Sequence, residues 1–141
     1  MKLNRINPAH IFSIILLGLC AVFYLKDHIR LNSKLEKCSF YSVASVTRIK
    51  YRKSHPYIVY EFNFKGKLIE KDDPANPQNT GDWVTTDIKA LANRRFWVQL
   101  SCNDPDFHKL LWDVAVPDTL QNIPINGWEK LPPGLKPYKN E

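Results

Sequence analysis

Three basic residues alternate along a stretch rich in β-branched and aromatic residues. Arg48, Lys50 and Arg52 lie two positions apart, and Lys53 follows directly. Successive side chains of a β-strand point to opposite faces, so this spacing predicts a basic stripe on one face. Such a stripe suits anionic lipid head groups or an anionic partner. The alternative is a solvent-facing strand whose charges only keep the sheet soluble.

The three cysteines leave one candidate pair. Cys20 lies inside an apolar run, whereas Cys38 and Cys102 belong to the more polar remainder. No CxxC motif or Cys/His cluster is present, so we expect neither a metal site nor a cofactor. In an oxidising compartment Cys38 and Cys102 could form a disulfide. The alternative is two free thiols, because sequence does not show how close their Cβ atoms come.

Residues with catalytic side chains are scattered rather than arranged in motifs. The histidines beyond the apolar run and its flank are His55 and His108, and no GxSxG elbow, HExxH helix or glycine-rich phosphate loop occurs. Two pairs of acids, Asp72 with Asp73 and Asp104 with Asp106, each adjoin a proline. Aspartate next to proline commonly caps a turn, so these acids are better explained as turn residues than as calcium ligands or catalytic groups. The sequence therefore predicts a non-enzymatic protein, and a hydrolase with a dispersed site is the alternative.

The alternation of one predicted strand leaves the environment of Trp97 open. In "RRFWVQLSC" the alternation places Phe96, Val98 and Leu100 on one face and Trp97 on the other. Trp97 is then either covered by the C-terminal tail or offered to a partner as a binding surface.

The element that would position these residues is an apolar segment near the N-terminus. Ile11 to Leu25 is a run of fifteen uncharged residues, about 22 Å as a helix, and the flanking residues extend it toward the thickness of a bilayer. A cleaved signal would need small residues after the run, and a lipoprotein signal would need one before Cys20, where Leu19 stands. We therefore predict an uncleaved membrane anchor and juxtamembrane helix over residues 1–37.

The charge distribution bears on membrane orientation. Ten Lys and Arg face four acids between Lys26 and Glu70, whereas eight face ten from Lys71 onward. Basic residues flank the apolar run on both sides, so the positive-inside rule gives nearly a tie. The short N-terminal tail favours a single-pass protein of the cell membrane whose domain faces outward, toward the periplasm or cell exterior.

The remaining chain reads mainly as β structure. Alternating or β-branched stretches predict a five-stranded antiparallel sheet or barrel-like domain over 38–116, with Ile58, Tyr60, Phe62 and Phe64 on a core face and a tight turn at Lys65 and Gly66. "KDDPANPQNTGD", from Lys71 to Asp82, predicts a long loop, and "TTDIKALAN" predicts one short helix. Residues 117–141 form a proline-rich tail, expected to pack on the sheet through Ile125, Trp128 and Leu131.

Short motifs in this order resemble a known family. A tyrosine-glutamate-phenylalanine strand runs into a glycine-lysine turn, and an aspartate-proline turn follows a later strand: Tyr60, Glu61, Phe62, Gly66, Lys67, Asp104 and Pro105. From about residue 42 to 116 the chain resembles a loosely defined family of small, uncharacterised bacterial single-pass membrane proteins. It departs from that pattern in having Ser101, Cys102 and Asn103 where a tyrosine would precede the aspartate. The resemblance implies a small β domain at the cytoplasmic membrane and brings no catalytic residues.

Together these features predict a membrane-anchored β domain that acts as a binding or accessory module at the bacterial cell envelope. The expected partners are membrane lipid and another envelope protein; nucleic acid is not expected because of the anchor. An immunity or inhibitor protein against a toxin is a further alternative, since an edge strand and an exposed tryptophan would serve that role.

Overall fold

The computed structural model describes residues 8–75 and 88–135 and shows one helix followed by a sheet. The element order is α1 (Pro8–Lys37), β1 (Ser39–Arg52), β2 (His55–Phe64), β3 (Lys67–Pro74), a 3-10 helix (Ile88–Leu91), β4 (Arg95–Ser101) and β5 (His108–Ala115). Helix α1 ends at Lys37, directly before Cys38.

Helix α1 is a single uninterrupted element of 30 residues, or about 45 Å. Its first part contains the uncharged run, and Lys34 and Lys37 in the last turn lie near the negative end of the helix dipole. The segment Phe12–Lys37 is long and apolar enough to cross a membrane.

The sheet has five antiparallel strands in the order β3-β2-β1-β4-β5, which confirms the predicted fold class. Lys65 and Gly66 join β2 to β3 with positive φ angles of 53° and 83°, in the tight turn that their sequence predicts. Lys53 and Ser54 join β1 to β2 with positive φ angles of 46° and 68°, although neither residue type favours that backbone conformation.

The sheet is open but strongly curved. The Tyr60 hydroxyl on β2 lies 2.6 Å from the His108 ring on β5, although two strands separate them and a flat sheet would place their backbones about 14 Å apart. Curvature therefore folds the core face onto itself. The buried side chains there include three of the four predicted from β2 and alternate residues of β4: Ile58, Tyr60, Phe62, Phe96, Val98 and Leu100. Phe64, the fourth predicted residue, is partly buried and packs against them.

One prediction outside the strand centres needs correction. The sequence predicts that Lys71 to Pro74 open a loop, but these residues belong to β3 and pair with β2 from Tyr57 to Tyr60. Their side chains contact residues distant in sequence, as Asp73 does with Tyr60, and such contacts outweigh the turn preference of the sequence. The rest of that loop, 76–87, lies outside the described residues, as do the predicted helix caps at Thr85 and Thr86.

The short helix is confirmed as one turn of 3-10 helix. Leu91 packs into the core, and Asn93, predicted to stop the helix, adopts a φ of 66° just after it. The Asn93 backbone N–H then donates to the carbonyl of Val46 at 3.0 Å, which ties this turn to the centre of the sheet.

Candidate functional site

The junction between helix and sheet is packed rather than linked by a flexible segment. Leu35, in the last helical turn, is buried. Lys34, next to Leu35, and Arg30, about one turn before Lys34, hold their cations 5.6 and 5.4 Å from the centroid of the Phe107 ring. The last two turns of the helix are therefore held against the turn that precedes β5.

A disulfide reinforces this junction. Cys38 and Cys102 are bonded, with their Cα atoms 5.5 Å apart, and the backbone N–H of Cys102 donates to the carbonyl of Cys38 at 3.1 Å. The bond joins the first residue after the helix to the residue after β4. Of the two alternatives that the sequence left open, the structure shows the disulfide; Cys20, the free cysteine of the described chain, is exposed on the helix.

The predicted basic stripe forms, but acids lie beside it. Arg48 makes two hydrogen bonds of 2.9 Å to the Glu70 carboxylate, and Arg52 bonds Asp72 at 2.6 Å. The Arg48 guanidinium lowers the pKa of Glu70, chiefly through these hydrogen bonds. Lys50 remains exposed between the two arginines. Carboxylates from β3 therefore offset much of the charge that the sequence placed on this face.

The stripe also lies far from the helix. Arg48 is ten residues beyond Cys38, about 33 Å of strand, and Lys53 is in the turn at the far end of β1. The residues proposed for an anionic surface therefore occupy the half of the sheet remote from the junction.

Trp97 is fully buried, so it offers no surface to a partner. Its ring meets that of Trp128 at a centroid distance of 5.2 Å in an edge-to-face contact. The tail therefore covers it, as one of the two alternatives expected, and the prediction of a partner surface at Trp97 is wrong. Ile125, expected to pack on the sheet with Trp128, is instead 63% exposed.

The tail is fixed by backbone contacts as well as by the tryptophan. Tyr41 and Trp128 exchange two backbone hydrogen bonds of 2.7 and 2.8 Å. A Cβ on Gly127 would lie 2.2 Å from the Tyr41 carbonyl oxygen, and the φ of Gly127 is +65°, so glycine is required there. Arg95 holds the preceding segment by donating to the carbonyls of Leu120 at 2.6 Å and Pro117 at 2.9 Å.

A partly buried polar chain crosses the core face. The Tyr60 hydroxyl donates to Asp73 at 2.7 Å and lies 2.6 Å from Nε2 of His108, whose Nδ1 lies 2.9 Å from the Pro105 carbonyl. Burial, and then the charge of Asp73, raise the pKa of Tyr60 well above its ordinary value. Both ring nitrogens of His108 thus have partners within the fold, and the chain connects β2, β3 and β5.

Lys71 and Asp106 form an ion pair between β3 and the turn before β5. The hydrogen bond from Lys71 lowers the pKa of Asp106. Together with the polar chain, this ion pair joins the two edges of the curved sheet. Neither contact was predicted, because a barrel-like pattern does not specify which residues of β3 and β5 the curvature brings together.

A groove of about 500 Å³ opens beside the disulfide. It is bordered by the start of β1, the turn between β2 and β3, and the tail: Cys38, Ser39, Phe40, Lys65, Cys102, Asn126, Glu129 and Lys130. The sequence analysis missed this site because Lys65 and Lys130 are 65 positions apart and share no pattern.

Within 8–75 and 88–135, no group of three or more His, Cys, Asp or Glu side chains is arranged to hold a metal ion. Comparison with models of known protein families, with curated proteins and with solved structures finds no match for this chain.

Proposed function

We propose that this chain is a single-pass membrane protein whose β domain acts, without catalysis, as a binding or accessory module at the bacterial cell envelope. The observation that carries the proposal is the packed junction: Leu35, Phe107 and the Cys38–Cys102 disulfide connect the sheet directly to a helix long enough to cross a membrane. The resemblance of the sequence to small bacterial single-pass membrane proteins agrees with this role. No family model matches the chain, so that resemblance stays a prediction.

A rigid junction suits binding at a surface. Binding orders mobile groups at a cost in free energy, and a partner that docks on a preoriented domain avoids part of that cost. The domain is therefore well suited to contact a neighbouring envelope protein at a constant height and angle above the bilayer.

The disulfide supports an outward-facing domain, because disulfides persist in oxidising compartments and are rare in the cytosol. A Ser54→Cys variant tests this, since Ser54 is exposed in the turn farthest from the helix. A membrane-impermeant maleimide should label the introduced thiol in intact cells and leave wild-type Cys20, in the apolar run, unlabelled. Labelling of the introduced thiol only after lysis would place the domain inside and overturn this orientation.

Photo-crosslinking tests the binding role. Tyr51 is 59% exposed at the far end of β1, so a photoreactive phenylalanine analogue there should give one discrete adduct with an envelope protein in living cells. Trp112, an aromatic residue buried in the core, is the matched control position and should give none. If the analogue at Tyr51 and a second one at Lys53, which is exposed in the neighbouring turn, both fail to yield a protein adduct, the protein-binding role is contradicted.

The described residues do not favour the two other functions that the sequence left open. An immunity or inhibitor role relied in part on an exposed tryptophan, and Trp97 is buried. A serine or cysteine hydrolase would need a histidine next to its nucleophile, whereas His108 contacts Tyr60 and Pro105, and His55 is exposed at the start of β2.

A further inference from the structure

We propose that the groove beside the Cys38–Cys102 disulfide binds the phosphate-bearing head group of an anionic phospholipid from the membrane that holds α1. This assignment rests on the proposed membrane location and names a ligand for the module. It does not depend on which side of the membrane the domain faces or on any protein partner.

The charge of the groove suits a phosphate. Lys65, from the turn between β2 and β3, and Lys130, from the tail, border it together, and Glu129 offsets only one of the two charges. Neither lysine forms a salt bridge with a carboxylate of residues 8–75 and 88–135, whereas Arg48 and Arg52 of the stripe both do. The Lys65 ammonium lies 5.4 Å from the centroid of the Phe64 ring, a contact that leaves N–H donors of this group for an anionic ligand, and the Lys130 ammonium can contribute in the same way.

Apolar surface beside these lysines suits the lipid better than a free anion. Phe40 and the disulfide line the groove. Ile125 lies next to the turn, since a Cβ on Gly66 would be 3.7 Å from its Cγ2, and both Ile125 and Leu68 expose more than 60% of their surface. Exposed aliphatic groups next to basic residues are typical of surfaces that enter the interface of a bilayer.

The position of the groove agrees with this ligand. Cys38 directly follows α1, and Lys26, the first charged residue after the apolar run, is eleven helical residues before Lys37, or about 17 Å. Phe107 contacts Arg30, which is four residues after Lys26. Measured along the helix axis, this end of the domain therefore comes within about 6 Å of Lys26. The head-group layer of the bilayer begins near Lys26, so Phe107 lies close to it. Phe107 is connected to the groove through the hydrogen bond from the Ser101 backbone N–H, next to Cys102, and the groove itself begins at Cys38, farther from the bilayer than Phe107.

Native mass spectrometry of the full chain, released from detergent micelles, can test the assignment with phosphatidylglycerol and phosphatidylcholine as probes. The wild type should retain phosphatidylglycerol at about tenfold lower lipid concentration than phosphatidylcholine. A Lys65→Gln/Lys130→Gln double variant should lose this preference. The matched control Lys50→Gln/Lys53→Gln removes the same charge at the far end of the sheet and should keep it.

Two results would overturn the assignment. Equal loss of phosphatidylglycerol from both double variants would mean that net charge, not the groove, attracts the lipid. Displacement of phosphatidylglycerol by an equal concentration of glycerol 3-phosphate would assign the groove to a soluble phosphate ester. Because these measurements use purified protein, they can succeed when the crosslinking and labelling experiments fail, and the reverse also holds.

Discussion

Strand β1 turns one face away from the core along its whole length, but the two halves of that face have different surroundings. In the half near the helix, Val43 is buried opposite Trp97, and Tyr41 pairs with the tail. Beyond a register shift between Val46 and Arg48, the same face carries exposed basic residues. We call the first the covered half and the second the charged half.

The comparison shows that two kinds of interaction maintain one strand. The covered half is stabilised by apolar burial, backbone hydrogen bonds and a covalent bond close by, all of which contribute substantially. The charged half is stabilised at its surface by exposed ion pairs, which contribute little in water. Substitutions should therefore cost much more free energy in the covered half than in the charged half.

The largest effect is expected from removal of the disulfide next to the covered half. The Cys38→Ser/Cys102→Ser variant loses a crosslink that closes a loop of 64 residues, so its free energy of unfolding should fall by about 4 kcal/mol. Urea titration followed by tryptophan fluorescence in detergent measures this. Cys20→Ser, the control, should unfold as the wild type does, and an equal loss in that control would contradict the explanation.

Gly127→Ala tests the contact between tail and strand. The added methyl group would clash with the Tyr41 carbonyl at a positive φ, which should cost about 3 kcal/mol in the same urea titration. Gly134→Ala is the matched control, because Gly134 also has a positive φ of 80° but has no atom within 4 Å of the added Cβ. Equal losses at the two glycines would show that backbone strain alone, not cover by the tail, explains the effect.

The sequence predicts the parts of this arrangement that depend on local pattern. Alternation places Ile58, Tyr60 and Phe62 in the core, and a lysine-glycine pair marks a turn. Local pattern does not specify that Trp128 covers Trp97, because that contact joins residues 31 positions apart. The groove depends on the same docking of the tail, so it too could be found only from the folded chain.

Substitutions on the core face of the sheet should cost less free energy of unfolding than those in the covered half and more than those in the charged half. Tyr60→Phe removes the hydroxyl that connects Asp73 to His108 and leaves both side chains without a partner across the core. We expect a loss of about 2 kcal/mol at neutral pH, measured by the same urea titration. Tyr51→Phe, which removes a hydroxyl from an exposed ring, should change stability little.

Alkaline pH gives a second measurement at Tyr60. Its pKa in the folded state is raised above the ordinary value of 10.0, so the unfolded chain releases this proton first as pH rises. The stability that the neutral phenol contributes is complete below pH 10 and is lost progressively above it. Tyr60→Phe should therefore lose less stability than the wild type between about pH 9 and 11, and identical slopes would contradict the raised pKa.

The smallest effect is expected in the charged half. Arg48 and Glu70 are paired, but their side chains are 55% and 52% exposed, so Arg48→Gln should cost less stability than removal of the disulfide, Gly127→Ala or Tyr60→Phe. The lowered pKa of Glu70 sets the sign of the pH dependence, since the contribution of the pair is present above the ordinary value of 4.5 and lost as pH falls below it. The difference from the wild type should also shrink in about 1 M salt, where the Debye length is about 3 Å. A loss comparable to that of Gly127→Ala would mean that the ion pairs, and not only the covered half, maintain the strand.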